Sequence, residues 1–124
     1  MAGIGNQSRR RGTYYENLAA EYLMQKGFQI LHRNFCSRVG EIDLVARQKD
    51  YLVFVEVKYR RRGGEHPLEA VDVRKQRRIC RTADYYCLRY GYQEDTPCRF
   101  DVVGISGDEI IHVEDAFSYV IGYS

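Results

Sequence analysis

Four charged residues stand in places where a buried strand would carry apolar side chains. Glu41 and Asp43 precede the run Leu44-Val45-Ala46. Glu56 and Lys58 follow Leu52-Val53-Phe54-Val55. A two-residue turn at Lys49-Asp50 would fold these segments into a hairpin with Gln48 facing Tyr51. Asp43 would then lie opposite Glu56, and Glu41 opposite Lys58, on one face of the sheet. Facing carboxylates repel and call for a cation. Lys58, two residues along the same face, can supply one. A hard divalent ion such as Mg²⁺, held by one or two carboxylates with waters and phosphate oxygens, does so better. An ion-pair network on a solvated sheet face would produce the same charges. Against that reading, Leu52 and Phe54 share the face and require cover, and burying two carboxylates without a use is costly.

The elements that must position these residues follow from periodicity. Residues 1–12 are expected to form a flexible tail. A helix is expected from Thr13, with Leu18, Ala19, Tyr22 and Leu23 at helical spacing, Gly27 as its stop and Thr13-x-x-Glu16 as a capping box. Strands are expected at Phe28–Phe35, Gly40–Gln48 and Tyr51–Tyr59. A helix capped by Asp72 and ending at Gly91 follows, with Ile79, Ala83, Tyr86, Cys87 and Tyr90 as its apolar stripe. Arg99–Ile105 and Glu109–Val113 read as short strands, and Asp115–Tyr123 as a closing helical turn. In the hairpin, Ile42, Leu44 and Ala46 against Val57, Val55 and Val53 form a wholly apolar face. The order α-β-β-β-α-β-β is that of a mixed α/β domain.

With 124 residues, the chain suits a single domain that folds without disulfides or metal. Cys36, Cys80, Cys87 and Cys98 form no CxxC pair and no zinc-finger spacing, so they read as reduced thiols. The N-terminal stretch has no apolar core of the kind a secretory signal needs, and no run approaches membrane-span length. The expected compartment is the cytoplasm, with no membrane partner. Net charge is only +2, but arginines outnumber lysines 15 to 4. They cluster at Arg9–Arg11, Arg60–Arg62 and Arg74–Arg81. Guanidinium forks match phosphate geometry; any one cluster reads by default as a solvated basic face, but three in a short chain raise nucleic acid as the expected partner. His32, His66 and His112 are dispersed and suggest no nucleophile–base pair. Of the three, only His66, in a loop, is a candidate phosphate contact.

Asp43-x12-Glu56-Val57-Lys58 resembles the PD-(D/E)xK nuclease signature, here placed on a hairpin in the correct register. Gly12-x-x-x-Glu16, Gly40-Glu41-Ile42-Asp43-Leu44, Phe54-Val55-Glu56-Val57-Lys58-x-Arg60, Pro67-x-Glu69-Ala70-Val71, Lys75-Gln76 and Arg99-Phe100-Asp101-Val102-Val103 follow in order. Together they resemble the YraN-like family of small bacterial proteins, which is similar in layout to archaeal Holliday-junction resolvases. The resemblance implies a restriction-endonuclease-like mixed β-sheet flanked by helices, filling residues 13–124 as one domain. Two departures stand out. Ile42 occupies the proline position of the motif, and the loop 61–66 lacks the Phe-Gly often found there.

The resemblance implies a Mg²⁺- or Mn²⁺-dependent endonuclease acting on DNA, branched or single-stranded. Asp43, Glu56 and the Val57 carbonyl would bind the metal. Lys58 would orient the attacking water or stabilise developing charge. Glu41 is either an outer acid or the cross-strand partner of Lys58. Glu16 is either a site acid or a cap. Asp101 reads as the partner of Arg60 or Arg99 rather than a ligand. Lys75 either reaches the site or is solvated, and Arg60, Arg74, Arg77 and Arg78 are candidates for backbone contacts. Cutting two strands of a junction favours a homodimer. The alternative is a nucleic-acid-binding or assembly module that keeps the fold without efficient catalysis. The tyrosine-rich stretch 85–92 reads first as core, then as interface or base-stacking platform.

Overall fold

The structure, a computed structural model, describes residues 4–61, 64 and 66–119, with only the backbone of 4–11. Its elements are α1 (Ile4–Gln25), β1 (Gln29–Cys36), β2 (Glu41–Gln48), β3 (Tyr51–Tyr59), a one-turn 3-10 helix (Pro67–Ala70), α2 (Val73–Arg89), β4 (Cys98–Ser106) and β5 (Glu109–Val113). The five strands form one sheet in the order β1-β2-β3-β4-β5. Neighbours are antiparallel except β3 and β4, which run parallel. A parallel pair needs a crossover, and α2 provides it.

The two faces of the sheet bury separate cores. Leu44, Ala46, Val53, Val55, Val103 and Ile105 pack with Ala19, Ala20 and Leu23 of α1. Val45, Leu52, Phe54, Phe100 and Val102 pack with Ile79, Cys80, Ala83 and Tyr86 of α2. Double cover explains the unbroken apolar runs of β3 and β4: a strand buried on both faces has no polar side to show. The expected assignment of Ile42 to the face of Leu44 and Ala46 does not hold, because Ile42 joins the α2-side core.

Both helices end as their glycines imply. Gly27 adopts φ +94°, while its own amide and that of Phe28 donate to the Met24 and Leu23 carbonyls. Gly91, at φ +74°, closes α2 in the same way through the Leu88 and Cys87 carbonyls. Both are Schellman closures, which favour the residue that bears no Cβ. Asp72 caps α2 by accepting from the Lys75 amide at 2.9 Å.

Three expectations are corrected. The first helix begins at Ile4, not Thr13, because the intervening residues include good helix formers and no proline. Thr13 is therefore internal, and the Thr13–Glu16 capping box does not exist. Residues 115–119 form no helix, because the Asp115 and Ala116 amides donate instead to Asp101 Oδ1 and the Phe100 carbonyl; residues 120–123 lie outside the described ones. His66 caps the 3-10 helix, accepting from the Leu68 amide at 3.2 Å.

That 3-10 helix sits hard against β4. A Cβ on Gly104 would come within 2.1 Å of Pro67 Cγ, so only glycine lets the return path from β3 to α2 cross here. Gly104→Ala is expected to destabilise the fold by about 1–3 kcal/mol. The cost should shrink in a Pro67→Gly background, measured as a double-mutant cycle from urea midpoints. An equal cost in both backgrounds would remove this contact as the cause.

Candidate active site

The β2–β3 ladder holds the expected register from Gln48↔Tyr51 to Leu44↔Val55 and ends there. Asp43↔Glu56 and Glu41↔Lys58 are not paired residues. Glu41 pairs with Cys36 on β1 instead. Where the ladder stops, a side chain takes over: Asp43 Oδ2 accepts from the Val57 amide at 2.7 Å. That bond keeps β2 and β3 joined just past the end of the ladder.

Side chains from the sheet and from both helices converge at this end. Glu56 is 7% exposed. Its Oε1 lies 3.0 Å from Lys75 Nζ of α2 and 3.7 Å from Lys58 Nζ. Glu16, from α1, accepts from Asn34 Nδ2 at 2.7 Å. With the capping box gone, Glu16 is held at the site end of the sheet by Asn34, itself in the left-handed region at φ +53°. An asparagine interrupting a strand pattern was the available signal for this contact. Glu41 accepts a long bond from Cys36 Sγ at 3.7 Å rather than meeting Lys58.

The electrostatics follow from burial and crowding. Burial raises the Asp43 carboxyl, and repulsion from Glu56, with smaller contributions from Glu16 and Glu41, raises it further; the Val57 amide opposes them. The result is about 8, so Asp43 carries a proton at neutral pH. Glu16 is also raised, first by burial, against its Asn34 bond and in concert with Glu41 and Glu56. Lys58 is lowered, first by burial and then by Lys75. Burial also acts against charge on Lys75, but contacts with Lys58 and Glu56 overcome it and hold Lys75 above its ordinary value.

The donors are hard carboxylate oxygens under mutual repulsion, which suits a divalent cation of the Mg²⁺ or Mn²⁺ kind. Among the described residues, no three His, Cys, Asp or Glu side chains already surround a common point. Asp43 and Glu56 could hold a cation only with water or phosphate oxygens completing its shell.

The surrounding residues sort clearly. Arg74, Arg78 and Arg81 are exposed along one face of α2, whereas Arg77 is half-buried. Arg60 donates to the Gly64 carbonyl at 3.0 Å. Arg62 and the Arg9–Arg11 side chains lie outside what is described. Asp101 belongs to a separate structural network: Arg99 binds both its oxygens at 2.9 and 3.0 Å, and His112 Nε2 lies 2.7 Å from Oδ2. These bonds outweigh burial and hold Asp101 below its usual range. Tyr86 is buried in the α2-side core, while Tyr85 and Tyr90 remain substantially exposed. None of the four cysteines is in a disulfide, and no described helix is long and apolar enough to cross a membrane.

A family profile described as "Uncharacterised protein family UPF0102" matches residues 15–105. The chain is similar to a "UPF0102 protein" of Lachnoclostridium phytofermentans, with 52% identity over 107 residues, 86% of this chain and 91% of that one. It is 47% identical over 112 residues to a "UPF0102 protein" of Rhodococcus opacus, covering 86% and 94%. A third relative, from Nitrosococcus oceani, is 41% identical over 115 residues, covering 88% and 92%.

Asp43 makes the site a stability probe. A carboxyl raised from 3.8 to about 8 binds more protons folded than unfolded, so stability falls as pH rises through that window. In metal-free buffer, Asp43→Asn removes this penalty and should stabilise the protein by roughly 1–3 kcal/mol at pH 8. The gain should be much smaller near pH 4. Thermal melts across pH test this, and a pH-independent difference would contradict the assigned cause.

Proposed function

This chain belongs to the UPF0102 family, and we propose that it is a metal-dependent nuclease hydrolysing phosphodiester bonds of DNA, with a restriction-endonuclease-like fold. The observation that carries the reading is the repelling pair Asp43 and Glu56, set where β2 and β3 part, with Lys58 beside Glu56. The α1-β1-β2-β3-α2-β4 order, with a parallel β3–β4 pair, supports the same fold.

In this reading, Asp43, Glu56 and the Val57 carbonyl hold Mg²⁺ or Mn²⁺, which when bound polarises the scissile phosphate and acidifies a bound water. Lys58, lowered by its surroundings, is suited to orient that water or to meet charge developing on phosphate. Lys75 neutralises Glu56 before the cation arrives and can then turn to a phosphate oxygen. Glu16 and Glu41 supply further negative potential. Arg74, Arg78 and Arg81 form a stripe along α2 that suits a phosphate backbone, giving sequence-independent and salt-sensitive binding. Arg60 and Arg77 are candidates for further backbone contacts. A branched substrate needs two cuts, for which a homodimer is the expected assembly.

One observation favours the second reading, a binding or assembly module without efficient catalysis. Lys75 and Lys58 both lie against Glu56 Oε1 and compensate its charge.

The experiment that separates them is cleavage of labelled duplex, single-stranded and four-way-junction DNA with Mg²⁺, Mn²⁺ or EDTA, beside Asp43→Ala and Lys58→Ala. The expected result is metal-dependent cutting, reduced at least about 100-fold in both variants, the scale at which catalytic groups of this kind act. Binding without cutting on every substrate would favour the module. Mn²⁺ titration by calorimetry gives a second readout: wild type should bind the ion and Asp43→Ala should not.

A further inference from the structure

An aromatic stack lies on the α1-side face of the sheet, the face opposite Glu56 and Lys58. Tyr15, one residue before Glu16 on α1, packs against the α1-side core. The Tyr59 ring, one residue after Lys58 on β3, stacks on it with centroids 4.5 Å apart and planes 21° apart. Tyr14 meets Tyr15 edge-on at 5.2 Å. The stack is anchored inside and open outside, with Tyr59 48% and Tyr14 58% exposed. Tyr59 also walls a cleft of about 400 Å³ with Arg60 and the β4–β5 turn, Ser106–Glu109. That volume falls within the range of small-ligand sites.

The cleft has two chemical sides. Tyr59 lines it with a ring stacked on Tyr15. Asp108 and Glu109 offer carboxylate acceptors that repel phosphate but accept from an exocyclic amino group, as acids accept from cytosine N4. Arg60, with exposed Arg61 next to it, supplies positive charge on the chain leading out of β3. A nucleotide would fit with its base inward and its phosphate toward the arginines. A base within a duplex is already stacked on both faces, so only an unpaired one has a face to give.

The geometry points to a base-stacking seat at Tyr59, on the sheet face opposite Glu56 and Lys58, that takes one unpaired, amino-bearing nucleotide and so favours single-stranded or branched nucleic acid. This inference deepens the nuclease reading and rests on it for the substrate class, but it makes a binding prediction that needs neither metal nor turnover.

The test is equilibrium binding in EDTA of fluorescently end-labelled single-stranded oligodeoxycytidylate, against an abasic oligonucleotide of equal length, by the full chain. Wild type should bind the base-bearing strand about tenfold more tightly, the scale of one base–aromatic stack. Tyr59→Ala should erase that preference while keeping the salt-sensitive affinity for the abasic strand. Tyr59→Phe, which keeps the ring, should retain it. Circular dichroism of the variants excludes unfolding as the cause. Equal binding of the two strands by wild type, or a preference that survives Tyr59→Ala, would overturn the seat and leave the nuclease reading standing. No binding to either strand would overturn the seat and the nucleic-acid partner together. A homodimer that Tyr59→Ala dissociates in sedimentation, without any base preference, would assign the stack to a second copy and overturn the seat.

Discussion

Two carboxylates brought together in a mostly buried place repel unless a cation stands between or beside them, and the surroundings of Asp43 and Glu56 answer that constraint. The β2–β3 ladder ends one residue short of the pair, so neither acid is locked opposite the other by backbone bonds. Asp43 turns to the Val57 amide, and Glu56 takes Lys75 from the opposite layer. Burial, and then the repulsion left over, raise the Asp43 carboxyl to about 8. A carboxyl raised in this way costs the folded state stability as the pH rises toward that value.

The rest of the fold serves that arrangement from a distance. Gly104 admits Pro67 over β4, and so sets where the chain re-enters after β3. Asp72 then caps α2 on the Lys75 amide, which starts the helix with that lysine beside Glu56. On the other layer, Ala19, Ala20 and Leu23 seat α1 on the sheet and bring Glu16 to Asn34 at the site end. Asp101, although buried and acidic, takes no part. Its oxygens are filled by Arg99, His112 and the Asp115 amide, and they tie the β5 side of the sheet together.

Polar residues at the edge of an apolar run carry different meanings according to what meets them. Asp101 and Glu56 both interrupt buried strands. The first is fully bonded by structural partners, while the second is compensated by two lysines on one oxygen. Tyrosine divides in the same way. Tyr86 closes the α2-side core, whereas Tyr59 stacks on Tyr15 and lines a cleft. Residue type did not separate these pairs; the neighbours did.

The sequence by itself determined the strand–turn–strand unit and its register, because side-chain alternation and a two-residue turn leave one solution. It also determined the Asp72 cap, the glycine stops and the order of the elements, all of which depend on residues close in the chain. Asp43, Glu56 and Lys58 were legible as a group for the same reason. Only the tertiary structure decided where the ladder ends, that both sheet faces are core, that α1 continues back to Ile4 and that no capping box holds Glu16. It alone paired Lys75 with Glu56, Asn34 with Glu16 and Tyr15 with Tyr59. Each of these joins residues distant in the chain or depends on what a neighbouring layer covers, and neither periodicity nor local propensity carries that information.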